Sequence, residues 1–217
     1  PGPGADVPAP APVALPDAQR KDPVARKQAL NDADIVILCL PDEAAREAVA
    51  LIDNPQVRVI DASSAHRTAP DWSYGFAELE PGGYQKIAAS KRVSNPGCWA
   101  TGFLAIIRPL VRAGIVPADF PVTANGVSGY SGGGKTMIAE FEDKTAADHT
   151  DSVSRLYALS LNHKHIPEMT VHSGLAHPPL FEPSVGRFYR GMLVEVPLQL
   201  WALPGKPGPR DIHAALA

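Results

Sequence analysis

Asp34-Ile35-Val36-Ile37-Leu38-Cys39-Leu40-Pro41, Asp42-Glu43-Ala44-Ala45-Arg46-Glu47-Ala48-Val49 and Val57-Arg58-Val59-Ile60-Asp61-Ala62 follow one another in close succession. The first is a continuous apolar run ended by proline, which predicts a strand covered on both faces, as in a parallel sheet. The second predicts a helix, with acids in its first turn where the helix dipole favours them. The third is another strand. Strand, helix and strand in this order make a βαβ unit, whose parallel pairing implies a doubly wound α/β sheet.

Upstream, Asp22 to Asn31 carries helix formers, with Val24, Ala25 and Leu30 as its apolar positions. Downstream, Ala100 to Arg112 predicts a helix that stops at Gly114, a C-terminal cap residue. Pro121 to Val127 and Gly191 to Leu198 read as strands of a mixed or antiparallel sheet with helices on one side. No internal repeat is visible. Pro1 to Pro12 reads PGPGADVPAPAP, a Pro/Ala-rich tail expected to be disordered.

A content of 45% hydrophobic and 20% charged residues suits a soluble globular chain. The formal net charge of −3 gives no basic footprint for nucleic acid. No apolar run approaches the roughly 18 residues that a membrane span needs. Two cysteines, Cys39 and Cys98, argue against a disulfide framework and for a reducing, cytoplasmic setting. One feature of such sheets is missing. A nucleotide-binding sheet normally opens with a strand and a Gly-rich turn that seats the pyrophosphate. Gly2 and Gly4 follow no strand and open no helix.

Cys98 ends Ser94-Asn95-Pro96-Gly97-Cys98, directly before the predicted helix. A thiolate at a helix N-terminus is stabilised by the dipole and the unpaired N–H groups. The same N–H groups can hold the oxygen of a carbonyl under attack. A small residue packing the helix start is the equal alternative. Asn162-His163-Lys164-His165-Ile166-Pro167-Glu168 can bind a metal, bind an anion or shuttle protons beside a thiol, or be a solvated loop. No further ligands support a metal site.

Gly129 to Thr136 matches GxxxxGKT literally. A phosphate loop would also need a second acidic strand for magnesium, and it would leave Cys98 and His163 unexplained. The milder reading is a flexible Gly-rich loop that a cofactor approaches closely. At the end of a strand, Asp61-Ala62-Ser63-Ser64-Ala65-His66-Arg67 places Arg67 where it can clamp a carboxylate or phosphate, or simply be solvated. His66 reads as structural.

Together SNPGCWATG, GVSGYSGGGK, HKHIPE and DASSAHR, with LCLPDEAA and YRGML, resemble N-acetyl-gamma-glutamyl-phosphate reductase in its shorter (type 2) form, from about residue 15 onward. The resemblance implies an incomplete doubly wound nucleotide-binding sheet plus an α+β substrate domain like that of glyceraldehyde-3-phosphate dehydrogenases. It divides the chain into 13–97, a partial NADP-binding domain, and 98–217, a catalytic and substrate domain. The chain then reads as truncated at both ends, lacking the first strand–turn–helix and the last strands. By the same resemblance, Cys98 is the nucleophile that forms a thioester and His163 moves protons. Arg67 and Glu168 place the substrate, and Ser131, Gly132 and Gly133 lie beside NADP(H), with Arg20 and Lys21 as candidates for its 2′-phosphate. A homo-oligomer of an arginine-biosynthesis enzyme acting on a small molecule is implied. The alternatives are an enzyme like aspartate-semialdehyde dehydrogenase, or an inactive fragment of the reductase.

Overall fold

The computed structural model describes Ala11 and residues 15–217. The tail predicted over Pro1 to Pro12 lies, Ala11 apart, outside the described residues. Two sheets carry the fold. The first holds β1 (Ile35–Leu38), β2 (Arg58–Asp61), β3 (Ser73–Tyr74) and β4 (Arg92–Ser94), all parallel, in the order β1-β2-β4-β3. The second holds β5 (Thr123–Gly129), β6 (Ser154–Leu156), β7 (Leu180–Gly186) and β8 (Met192–Glu195), in the order β6-β7-β5-β8. In it β5 and β7 are parallel, and β6 and β8 run antiparallel to their neighbours. The helices are α1 (Pro23–Asp32), α2 (Asp42–Ala50), α3 (Gly83–Ala89), α4 (Cys98–Arg112), α5 (Gly134–Glu142), α6 (Ile166–Ser173) and α7 (Pro209–Leu216).

The βαβ unit forms as its pattern predicts. Asp22 caps α1 by accepting the Val24 N–H at 3.0 Å. In α2, Ala45 and Ala48 pack on Val36, Leu38, Val59 and Trp72. One expectation fails: β1 is not covered on both faces. Its burial alternates, and Ile35 and Ile37 stay 54% and 66% exposed. Ile60 of β2, which shares that face by register, is 37% exposed.

The larger core forms around α4. Trp99, Ala100, Phe103, Leu104, Ile107 and Leu110 recur at the spacing of one helix face, and all are buried. They meet Met169 of α6, Phe181 of β7 and the edge of α7. Gly114, with φ +69°, ends the α4 segment in the left-handed conformation that glycine adopts without strain. Thr123, Asn125, Val127, Leu193 and Glu195 share the opposite face of the second sheet, by register.

Candidate active site

Strand β4 delivers the chain to Asn95-Pro96-Gly97, and α4 begins at Cys98 with Gly97 as its extended N-cap. The first backbone bond of the helix runs from Thr101 N–H to Gly97 C=O at 2.9 Å. The preceding amides therefore have no partner inside the helix. Trp99 is sunk into the core, whereas the Cys98 thiol is exposed. Cys98 is not a core-packing residue.

Its surroundings come from the second sheet. Trp99 Nε1 donates to Tyr157 Oη at 2.8 Å. Burial raises the Tyr157 phenol above its ordinary range and the nearby Cys98 sulfur pushes the same way, against the Trp99 hydrogen bond. The His163 ring lies 6.0 Å from Tyr157 and 5.2 Å from Phe181, and Phe181 meets Trp99 at 5.4 Å. Cys98 and His163 thus flank one aromatic cluster. His163 Nδ1 accepts the His165 backbone N–H at 3.1 Å, so in the neutral ring the proton sits on Nε2. Burial, then the adjacent Lys164, lowers its pKa.

His165 is 4% exposed. Burial, followed by His163, Arg67 and Lys164, pushes its pKa down to about 3, and its Nδ1 is buried without a partner among the described residues. Arg67 and Glu168 form a buried ion pair at 2.8 Å. The rest of the Arg67 fork is also engaged, Nε by Asn95 O at 3.0 Å and Nη2 by Ala62 O at 3.1 Å. Glu168 Oε2 accepts the Gly97 N–H at 3.1 Å and the Tyr74 hydroxyl at 2.9 Å. The Glu168 carboxylate is turned inward, and the residue is 1% exposed. A cavity of about 370 Å³ lies alongside, lined by Asp42, Arg46, Ser64, Thr68 and Lys164, with Arg67 and Glu168 in its wall. His66 is structural: its Nδ1 meets Asp61 Oδ2 at 2.6 Å and its ring stacks on Trp72 at 4.1 Å.

Ser131, Gly132 and Gly133 form a 3-10 turn between β5 and α5. The amides of Tyr130 and Ser131 bond to the carbonyls of Phe188 and Tyr189. The GxxxxGKT match makes no open phosphate cradle, because Tyr130 stacks on Phe141 at 5.0 Å and Met137 packs against Gly133. Gly132 and Gly134 do face open space, where an added Cβ meets nothing within 4 Å. Arg20 pairs with Asp17 in the exposed turn before α1 and touches none of these groups.

Residues 98–216 match the family model for the semialdehyde dehydrogenase dimerisation domain, and residues 9–87 match that for the NAD binding domain. The chain is 51% identical over 208 residues to N-acetyl-gamma-glutamyl-phosphate reductase 2 of Nostoc sp. (strain PCC 7120), covering 94% of itself and 65% of that relative. It is 53% identical over 205 residues to N-acetyl-gamma-glutamyl-phosphate reductase of Sinorhizobium fredii, covering 94% and 67%. The chain belongs to the N-acetyl-gamma-glutamyl-phosphate reductase group of the semialdehyde dehydrogenase family. It spans about two thirds of the length of these curated relatives.

Solved structures agree on the fold. Aspartate semialdehyde dehydrogenase II from Vibrio cholerae, complexed with ASA, aligns with a TM-score of 0.56 at 14% identity, over 86% of this chain and 60% of that one. The NADP-bound Candida albicans aspartate semialdehyde dehydrogenase gives 0.54 at 14%, over 85% and 55%. The family's sequence motifs marked Cys98, His163, Arg67 and Glu168. Tyr74 and Tyr157, by contrast, carry no local signal. Only the Trp99, Glu168 and His172 contacts expose them.

Proposed function

We propose that this chain carries the acyl-transfer centre of an NADPH-dependent reductase that converts N-acetyl-gamma-glutamyl phosphate to the semialdehyde. The observation that carries this reading is the exposed Cys98 thiol at the first turn of α4, across an aromatic cluster from a half-buried, neutral His163. The exposed thiol gives its proton to water, His163 donates its Nε2–H to the resulting thiolate, and the sulfur attacks the acyl carbon. The C–O bond to phosphate breaks, phosphate leaves, and a thioester remains on Cys98. Free amides at the start of α4 hold the carbonyl oxygen as charge develops on it. Arg46 and Lys164 give the cavity at the ends of β1 and β2 the charge that suits a phosphorylated ligand.

The residues fit one end of a dinucleotide. The Ser131–Gly133 turn, open at Gly132, suits close approach of the nicotinamide end. For the pyrophosphate, the first sheet offers no Gly-rich turn among the described residues: Leu40-Pro41-Asp42 follows β1. When bound, NADPH supplies the hydride that takes the thioester to the aldehyde. Pairing of two chains through the open face of the second sheet fits the dimerisation-domain match. Two free cysteines suit a reducing cytoplasm, and no helix among the described residues is long and apolar enough to cross a membrane.

The test is incubation with N-acetyl-gamma-glutamyl phosphate without cofactor, followed by mass measurement. An acyl adduct on Cys98 with phosphate release is expected, and Cys98→Ser loses both. Release that persists unchanged in Cys98→Ser refutes the reading. Phosphate-dependent NADP reduction is then expected to be faster with N-acetylglutamate semialdehyde than with aspartate semialdehyde. The reverse order would assign the chain to the aspartate branch.

A further inference from the structure

Four side chains close a circuit beneath Cys98. Arg67 Nη1 donates to Glu168 Oε1 at 2.8 Å, and Tyr74 Oη donates to Glu168 Oε2 at 2.9 Å. The Tyr74 ring stacks on His172, with centroids 3.7 Å apart and planes 19° apart. His172 Nε2 returns to the Arg67 carbonyl at 2.6 Å, and because a carbonyl only accepts, that nitrogen carries the proton. Burial raises the Tyr74 phenol far above its ordinary range, so it remains a donor. His165 Nε2 is the remaining titratable group facing the carboxylate, at 3.9 Å from Oε1.

The circuit grips the chain on both sides of Pro96. Arg67 Nε holds the Asn95 carbonyl, and Glu168 Oε2 holds the Gly97 N–H, 71 positions away in sequence. In a capping box, a Glu three residues into a helix accepts the N-cap N–H of that same helix. Here Gly97, the N-cap of α4, has no side-chain cap of its own, and the acceptor comes from α6. Glu168 also stands in the first turn of α6, so two helix N-termini converge on one carboxylate and both dipoles favour its charge. The fit leaves no room to spare. A Cβ at Gly97 would stand 2.6 Å from both Arg67 Nη1 and His165 Nε2, and closer still to Glu168 Oε1.

We infer that Glu168 is a positioning residue that caps the Cys98 helix from across the fold, and that Tyr74 holds it in that role. Both carboxylate oxygens are occupied by protein donors, so neither is offered to a substrate. The cap orients the free amides of the first turn, and through them it sets the surroundings in which the Cys98 sulfur reacts. The consequence for catalysis rests on Cys98 being the nucleophile, whereas the cap can be measured without substrate or cofactor.

The first experiment uses the unmodified chain. Amide hydrogen exchange at Gly97 should be slowed well below that at Cys98, whose N–H has no helical acceptor. Equal rates at the two amides overturn the cap. The second experiment is Tyr74→Phe, which keeps the stack on His172 and removes only the hydroxyl. Iodoacetamide alkylation is followed at Cys98 by peptide mass, so that exposed Cys39 does not contribute. At neutral pH the rate should fall about fivefold, the worth of one hydrogen bond. A folded Tyr74→Phe with an unmoved rate overturns the role of Tyr74, and if that variant does not fold, the Gly97 amide decides. In the active enzyme the variant should lower kcat and leave KM near the parent value. A raised KM at unchanged kcat would return Glu168 to substrate contact. Wild-type Cys98 that alkylates no faster than Cys39 would refute the proposed function, and Gly97 would still report on the cap.

Discussion

Arg67 Nη1 and Glu168 Oε1 meet at 2.8 Å, both nearly inaccessible, and join the end of the first sheet to α6 across 101 positions of sequence. Breaking a buried pair leaves one uncompensated charge, which costs more than the pair itself contributes. Arg67→Met is therefore expected to lower stability by about 3–5 kcal/mol, read from the denaturant midpoint. Arg67→Met combined with Glu168→Leu should recover part of that loss, because no charge is then left stranded.

Gly97→Ala tests the same region from the other side. Its backbone is ordinary extended chain, so the obstacle is space rather than conformation. Overpacking of this kind costs about 1–3 kcal/mol. The variant should also push the Cys98 helix away from Glu168 and slow Cys98 alkylation. A variant with parent stability and parent alkylation would contradict the described packing.

Acid should destabilise the fold through His165. Unfolded, its imidazole takes a proton below about 6.5. Folded, it stays neutral down to about 3. Between those values the unfolded state binds more protons, so stability falls as pH falls, by at most about 1.4 kcal/mol per pH unit for this group. His163 and His172 are lowered too and act in the same direction. His165→Gln should flatten the slope of stability against pH between about 6.5 and about 3, as measured by urea unfolding across that range.

His163→Phe should slow acylation of Cys98 by about 10- to 100-fold, the worth of one hydrogen bond to a charged group. Single-turnover phosphate release checks this.

The open face of the second sheet gives a test of assembly. Leu193 is 56% exposed beside Val127 in the register. Leu193→Arg should shift the sedimentation of the chain toward the monomer, with its melting behaviour otherwise close to the parent.

Much of the architecture is legible in local pattern. The run from Ile35, the acids at Asp42 and Glu43, and the buried stripe of α4 each announce their element. Other elements are hidden for identifiable reasons. β7 is an inner strand of the second sheet that contains Pro183, a residue that sequence reasoning confines to edges. Its neighbour Tyr157 bonds to the Pro183 carbonyl, so only the missing donor is lost. β4 is three residues long and carries too little periodicity to show. The charged HKHIPE stretch reads as loop or site, yet it opens α6, with Pro167 and Glu168 in the first-turn positions that suit them.

Local sequence is enough to specify the βαβ unit, the helix that begins at Cys98, and the residue types gathered near it. Those features rest on periodicity and capping, which act within a few residues. Packing in three dimensions settles the rest: β1 keeps an open face, Tyr157 stands beside the thiol, and Glu168 turns inward to cap another helix. Each of these depends on a partner tens of residues away, and burial fixes the partner only once the chain has packed.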